Sequence, residues 1–254
     1  MPRSGVGGAG GGADNAPMRV TRATIAIVVA LLLPAAVGCG SSSGGSSSSP
    51  AAAADNGESA KAPGQILSDV TDAVQGAQSV HMSGSVSSDS SDVGFDVTLS
   101  ADAAKGTLTL SGNDIKLVRV GDAAYFSGSP EFYKMVGGGD AAVSLLQGRW
   151  IKVPSSDSRF ASFEQFTDKG KLFSSMLQAE GTISKAGVRT YNGQKVIVLR
   201  DSKGDGDLYI AASGKPYPVA IVTKGDKQGT VTFNGWDAPV DVSAPSDAID
   251  LSQL

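Results

Sequence analysis

The sequence predicts an α+β domain with one leading helix, about eight or nine antiparallel strands and a helical segment in the middle. Three observations predict it. Apolar residues recur at helical spacing from Pro63 to Gln78. Short segments of alternating apolar and polar residues follow, separated by turn-forming residues, which favours antiparallel pairing of neighbouring strands. The alternation stops between Pro130 and Leu177 and then resumes, so helices interrupt the strands.

The leading helix is amphipathic. Asp69 and Asp72 fall on its polar side, and the apolar residues fall on the other side at a period close to 3.6. The predicted buried side consists of Ile66, Leu67, Val70, Ala73, Val74 and Ala77.

Strand alternation is clearest where Val93, Phe95, Val97 and Leu99 alternate with small or polar residues. The other predicted strands are Gly106–Ser111, Asp114–Val120, Ala123–Ser127, Gly181–Thr190, Lys195–Arg200, Asp207–Ala212, Pro218–Thr223 and Gly229–Trp236.

Turn-forming residues separate these strands, and the clearest are Asn192-Gly193, which predict a hairpin. The middle of the chain has three segments with helical patterning, Ala141–Gln147, Phe160–Phe166 and Lys169–Gln178. The two groups of strands would have to close around these helices.

An apolar run from Ile25 to Val37 follows Arg19 and Arg22. A membrane-spanning helix needs about 20 apolar residues, so this run is too short to span and matches the core of a removable signal peptide. Residues 1–38 are therefore predicted to be a signal peptide. Met18 opens a better-proportioned signal peptide than Met1 does, which favours translation from Met18.

The sequence Ala36-Val37-Gly38-Cys39 resembles the lipobox of bacterial lipoproteins, which are cleaved before a cysteine that carries a diacylglyceryl group. Cys39 is the chain's only cysteine and is predicted to be a lipidated anchor to the membrane. Two or more acyl chains, such as palmitate, are enough for stable anchoring. The alternative is an ordinary secreted protein with a free thiol.

Residues 39–62, rich in Ser, Gly and Ala, are predicted to form a disordered linker because they lack large apolar side chains. Residues 63–254 are then one folded domain.

Residues 1–38 hold three of the 21 basic and one of the 25 acidic residues, so the remainder has a net charge of −6. An acidic chain with no basic cluster argues against a nucleic-acid partner.

The sequence offers no set of residues for catalysis. His81 is the only histidine, so the usual nucleophile and base pairs are absent, and we predict no enzyme, no metal and no cofactor.

Residues 201–207 resemble a calcium loop in part, but Lys203 occupies a ligand position and Ala212 stands where a glutamate is needed. A solvated hairpin turn is the favoured alternative.

Apolar residues remain as the candidate site. Phe160, Phe163 and Phe166 fall on one side of a predicted helix, and these side chains would either line a groove or fill a core. The candidate groove residues are Phe95, Leu99, Trp150, Phe163, Phe166, Phe173 and Met176.

The lipobox, the linker and an opening helix followed by Ser79-Val80-His81-Met82 resemble the LppX/LprG lipoproteins of actinobacteria. Residues 148–154, GRWIKVP, and 214–218, GKPYP, are similar to a related group of actinobacterial lipoproteins. The resemblance covers most of residues 64–254. It implies a half-barrel, in which a curved antiparallel sheet has helices on its concave face, similar to the carriers LolA and LolB.

The resemblance also implies a function. It leads us to expect a lipoprotein on the extracytoplasmic face of the cell membrane whose hydrophobic groove binds or transfers acylated lipids. The alternative is a lipoprotein of the envelope that carries no lipid and acts as a protein-interaction or scaffold module.

Overall fold

The computed structural model describes residues 54–88, 91–135, 138–153, 166–204, 206–225 and 227–253. Several expectations concern residues outside these ranges and stay predictions. They are the start at Met18, the signal peptide at residues 1–38, lipidation of Cys39, the groove position of Phe163 and most of the helix at 160–166.

In the described residues, twelve strands form one open, curved sheet, which confirms the predicted α+β class. Their order across the sheet is β12-β6-β5-β4-β3-β2-β1-β11-β10-β9-β8-β7. All neighbours pair antiparallel except β12 and β6. The strands are β1 Ser79–Ser88, β2 Ser91–Ser100, β3 Ala103–Leu110, β4 Asn113–Val120, β5 Ala123–Gly128, β6 Ile151–Val153, β7 Ile183–Tyr191, β8 Gln194–Asp201, β9 Gly206–Ala211, β10 Pro218–Thr223, β11 Lys227–Asn234 and β12 Ile249–Asp250.

Four α-helices accompany the sheet in the described residues: α1 Pro63–Gly76, α2 Pro130–Met135, α3 Asp140–Leu146 and α4 Lys169–Met176. The helices α1, α3 and α4 lie where the sequence predicts them. The short helix α2 and the short strands β6 and β12 were not predicted, because two to six residues are too few to display a periodicity.

The predicted hairpin between β7 and β8 is confirmed. Asn192 and Gly193 have φ values of 47° and 80°, as a type I′ turn requires of both central residues.

Pairing of β1 with β11 joins the two groups of strands into one sheet. Residues 81–88 of β1 pair with residues 227–234 of β11, and β1 also pairs with β2. β1 is therefore the last strand of one group and β11 the first strand of the other, although the middle helices separate the two groups in sequence.

Gly84 allows the close approach of β1 and β11. Its φ is 136°, and a Cβ atom placed on it would lie 2.0 Å from the carbonyl oxygen of Thr230. Only glycine fits this conformation and this contact without a backbone shift.

We expect Gly84→Ala to lower the free energy of unfolding by about 2 kcal/mol or more, since both backbone strain and a backbone clash result. Chemical denaturation of the two proteins measures this loss. Gly64→Ala is the control, because a Cβ there meets nothing within 4 Å, and it should change stability by less than about 1 kcal/mol. Equal stabilities of the wild type and Gly84→Ala would contradict the close approach.

The helices pack on one face of the sheet, which we call the inner face. In α1, Ile66, Val70 and Val74 are buried and pack into the main core, together with Leu172 and Phe173 of α4. The strands contribute the residues that alternate toward this face, such as Leu99, Leu108, Leu117 and Phe126. The amphipathic pattern predicted for α1 is thus confirmed.

Residues 54–62 contact the sheet, which corrects the predicted linker boundary. Asn56 donates from its backbone N–H to Ala212 and from its side chain to Ala211. Asp55 forms an ion pair of 2.9 Å with Lys195 at the start of β8. A 3₁₀ helix, Glu58–Ala60, then leads to α1. Hydrogen bonds to the sheet, which composition does not reveal, attach this polar segment to the domain.

Within the described ranges, no helix has the length and apolarity needed to cross a membrane.

Candidate functional site

A cavity of about 320 Å³ lies between the inner face and the helices α1 and α4. We call it the apolar cavity. The strands β8, β9 and β10 supply its floor, and Leu67 of α1 and Met176 of α4 line it from the helical side. Its large apolar side chains are Leu67, Met176, Leu177, Ile183, Leu199, Leu208 and Ile221, and we name the cavity after them. Polar residues line the rest of it: Ser175, Gln178, Glu180, Asp201, Lys203 and Thr223.

Strand register places three aliphatic side chains of the floor in a row. Leu199 pairs with Leu208, and Leu208 pairs with Ile221. Paired residues of neighbouring strands project from the same face of a sheet. The row is therefore a continuous apolar surface, and part of it borders open space rather than packed side chains.

On the outer face of the same strands, the buried carboxylate of Asp207 holds β8, β9 and the end of β10 together. Both of its oxygens accept hydrogen bonds of 2.7 Å from Arg200, and Oδ2 accepts one of 3.2 Å from Lys224. The Asp207 side chain is only 3% exposed. These bonds, first those from Arg200, hold the pKa of Asp207 below its usual value of 3.8.

We expect Asp207→Asn to lower the free energy of unfolding at neutral pH by about 1–2 kcal/mol, because a charged acceptor of three hydrogen bonds is lost while its partners stay partly solvated. Since the folded-state pKa of Asp207 lies below its unfolded value, its contribution is present above pH 3.8 and is lost as pH falls through the folded-state pKa. Denaturation between pH 2.5 and 7 measures both effects. The variant should lose less stability on acidification than the wild type, and parallel curves would contradict this role.

The carboxylate of Asp201, at the rim of the apolar cavity, is occupied by hydrogen bonds from backbone groups. It accepts hydrogen bonds from the backbone N–H groups of Lys203, Glu180 and Gly181, at 2.6 to 3.0 Å. These bonds, with that from Lys203 the largest cause, lower the pKa of Asp201. This geometry favours the hairpin-turn interpretation of residues 201–207 over a calcium loop, although Asp205 lies outside the described residues.

A second cavity, of about 310 Å³, lies between the end of α1 and the start of α4. We call it the lysine cavity, because the buried side chain of Lys169 lines it. Val74 and Ala77 line it from α1 and the residue that follows α1, and Phe173 and Leu177 line it from α4 and its end. Leu177 lines both cavities.

In the part of the chain that the structure describes, no group of three or more His, Cys, Asp or Glu side chains is arranged to hold a metal ion. The only histidine, His81, bonds to Asn234 at 3.1 Å and Asp96 at 2.9 Å on neighbouring strands. It lines neither cavity.

Two of the predicted groove residues line a cavity. Met176 lines the apolar cavity, and Phe173 lines the lysine cavity while its ring also contacts Phe233 and Trp236, with centroids 5.2 and 5.5 Å away. Phe173 is 2% exposed and belongs to the core.

Four of the other predicted residues, Leu99, Phe95, Phe166 and Trp150, line neither cavity. Leu99 is fully buried in the core. Phe95 and Phe166 are half-buried and contact each other, with ring centroids 5.7 Å apart. Trp150 is half-buried before β6, and its carbonyl accepts a hydrogen bond from Ile249. Phe163 lies outside the described residues. Ligand binding by these residues stays a prediction.

Sequence reasoning missed most of the cavity lining. Leu199, Leu208 and Ile221 lie in strands that were predicted, and Leu67 lies on the predicted apolar side of α1. The missing signal is the register between strands, which puts the three aliphatic residues in one row. Lys169 was missed because a lysine in an amphipathic helix ordinarily points to solvent.

No protein-family model matches the chain, and no curated protein matches it. Among solved structures, it resembles LprF from Mycobacterium bovis, with 17% identity over 71% of this chain and 95% of that chain and a TM-score of 0.48. It also resembles the Mycobacterium tuberculosis lipoprotein LppX, with 17% identity over 72% of this chain and 100% of that chain and a TM-score of 0.47. An uncharacterised conserved protein from Thermus thermophilus matches at 13% identity over 74% of this chain and 97% of that chain, with a TM-score of 0.35.

LppX is one of the lipoproteins for which the family resembled by the sequence is named, so the two comparisons give the same resemblance.

Proposed function

We propose that this chain is a lipoprotein, anchored through Cys39 to the extracytoplasmic face of the cell membrane, whose apolar cavity binds acyl chains of a lipid. The signal peptide and lipobox of the sequence support the anchor. The observation that supports lipid binding is the row of Leu199, Leu208 and Ile221, which borders a cavity of about 320 Å³ beneath α1 and α4.

The physical basis is burial of methylene groups. Each methylene transferred from water to an apolar site contributes about 0.8 kcal/mol, so a few carbons of one chain give measurable affinity. A cavity of about 320 Å³ is at the lower end of the range for ligand sites, so it holds part of one chain. Such a site needs few polar groups, and we assign it no catalytic reaction and no cofactor.

The filled half of the inner face, away from the apolar cavity, favours a second candidate function, a protein-interaction or scaffold module without a lipid. Phe126 of β5 and Phe132 and Tyr133 of α2 are almost fully buried, with ring centroids 6.5 Å apart for Phe126 and Phe132 and 5.1 Å apart for Phe132 and Tyr133. This half of the inner face is a packed core. A lipid carrier of this fold would therefore use only the half formed by β7 to β10.

A native mass spectrum of residues 40–254, expressed in a bacterial envelope without the anchor, tests the proposal. We expect an additional mass of one acylated lipid that disappears after extraction with organic solvent. Bare protein in repeated preparations, including those from an actinobacterial host, would contradict lipid binding. Stoichiometric capture of one protein partner that is unaffected by extraction would then support the interaction module.

A further inference from the structure

Lys169 is an unusual residue because its ammonium group lies inside the domain. It is the first residue of α4 and is only 6% exposed. Its Nζ atom donates hydrogen bonds to the carbonyl oxygens of Val74, at 2.9 Å, and Ala77, at the end of α1. An ammonium has three donors, so these two carbonyls leave one donor unassigned.

The charge of Lys169 has no ion-pair partner among the described residues. Two carboxylates lie in the surroundings, and both have other partners. Asp237 pairs with Lys215 at 2.9 Å, and Asp168 accepts from the backbone N–H of Lys171 at 2.9 Å. A buried charge without a counter-ion is costly, and burial lowers the pKa of Lys169 below its usual value.

The lysine cavity adjoins this side chain. Its walls combine the aliphatic and aromatic side chains of Val74, Phe173 and Leu177 with the stem of Lys169. Thr71, Gln75, Ser174 and Asp168 also line this cavity, and the Asp168 carboxylate is bonded to Lys171. A space of about 310 Å³ with apolar walls on one side and a cation that has no ion pair in the described part of the chain suits a molecule with one anionic group and one short apolar segment.

We infer that the lysine cavity binds the anionic group of a single-chain amphiphile, a carboxylate or a phosphate, next to the ammonium of Lys169. This inference rests on the proposed lipid-binding function and specifies the class of headgroup. The start of the acyl chain contacts Phe173 and Leu177. Since Leu177 lines both cavities, the rest of the chain passes this side chain to reach the apolar cavity.

The competing account gives Lys169 a purely structural role. Lysine side chains stabilise helix C-termini by bonding to the last carbonyls, and Val74 and Ala77 supply such carbonyls at the end of α1. In that case Lys169 affects stability but does not discriminate between charged and neutral ligands.

The test compares three ligands of the same chain length with delipidated protein, residues 40–254, in calorimetric titrations below the concentrations at which micelles form. The ligands are dodecanoate, dodecyl phosphate and 1-dodecanol. We expect at least one anionic ligand to bind about tenfold or more tightly than the alcohol, as a charge-assisted hydrogen bond predicts. The tighter of the two anions identifies the headgroup as carboxylate or phosphate.

Lys169→Met should remove this preference and leave binding of the alcohol within about threefold of wild type, since the methionine keeps the apolar stem. Lys116→Met is the matched control, because Lys116 is exposed on β4 and lines neither cavity, and it should retain the preference. Equal affinities of wild type for all three ligands would overturn the inference and leave the lipid-binding proposal intact. Failure of all three to bind would contradict both.

If Lys169→Met does not fold, NMR spectra of the lysine side chains in the wild type decide the question. Dodecanoate or dodecyl phosphate should shift the Lys169 side-chain resonances more than 1-dodecanol does. Unchanged Lys169 resonances at saturation with each ligand would overturn the inference.

Discussion

Phe173→Ala is expected to lower the free energy of unfolding by about 3–5 kcal/mol, as large-to-small changes of buried aromatic residues do. The ring of Phe173 is 2% exposed and contacts Phe233 of β11 and Trp236 just after it. Its removal leaves a void between α4 and the strand that joins the two groups of strands. Urea denaturation at neutral pH measures the loss.

Met176→Ala is the matched comparison, because Met176 lies one turn later on α4 and was predicted for the same groove. It is half-buried and borders the apolar cavity, so little packing is lost, and we expect a change of about 1–2 kcal/mol. A loss below about 1 kcal/mol for Phe173→Ala would contradict a core position for Phe173.

Leu67→Trp is expected to decrease the amount of lipid that co-purifies with the protein by about tenfold or more, while the protein stays folded. Leu67 is half-buried on α1 and lines the apolar cavity opposite the row of Leu199, Leu208 and Ile221. An indole ring placed there occupies the space proposed for the acyl chain. Because it enters open space, the cost of overpacking should be at the lower end of its range.

Leu145→Trp is the control for this substitution. Leu145 is 49% exposed on α3 and lines neither cavity, so the same change in size should leave lipid content at the wild-type level. Quantitative mass spectrometry of lipid extracts gives lipid content, and thermal denaturation confirms folding. Wild-type lipid content in folded Leu67→Trp would contradict the apolar cavity as the binding site.

Much of the fold is predictable from local pattern. The alternation in β2 to β5 and β7 to β11, the spacing in α1 and turn residues such as Asn192-Gly193 are properties of short segments, and they locate the elements to within a few residues. Pairing of β1 with β11 is different, because it joins residues about 150 positions apart. No local pattern specifies such a partner, although the need to join the two groups of strands could be predicted.

The cavities are less predictable for the same reason. A leucine such as Leu208 shows the same alternation whether a helix covers it or leaves it open, and only the position of α1 and α4 over the sheet decides between these states. Most of the predicted groove residues are aromatic, because large rings can line a groove, but large rings also fill cores well, as Phe173 shows. Burial of Lys169 depends on the carbonyls of another helix.

A crystal structure of the protein purified from a bacterial envelope with its lipid tests the central claim most directly. We predict continuous density for an acyl chain between Leu67 and the row of Leu199, Leu208 and Ile221. A structure in which Met176, Leu177 and Leu208 close this space, while extracts of the same crystals contain lipid, would contradict the claim, because the lipid would then bind elsewhere on the protein.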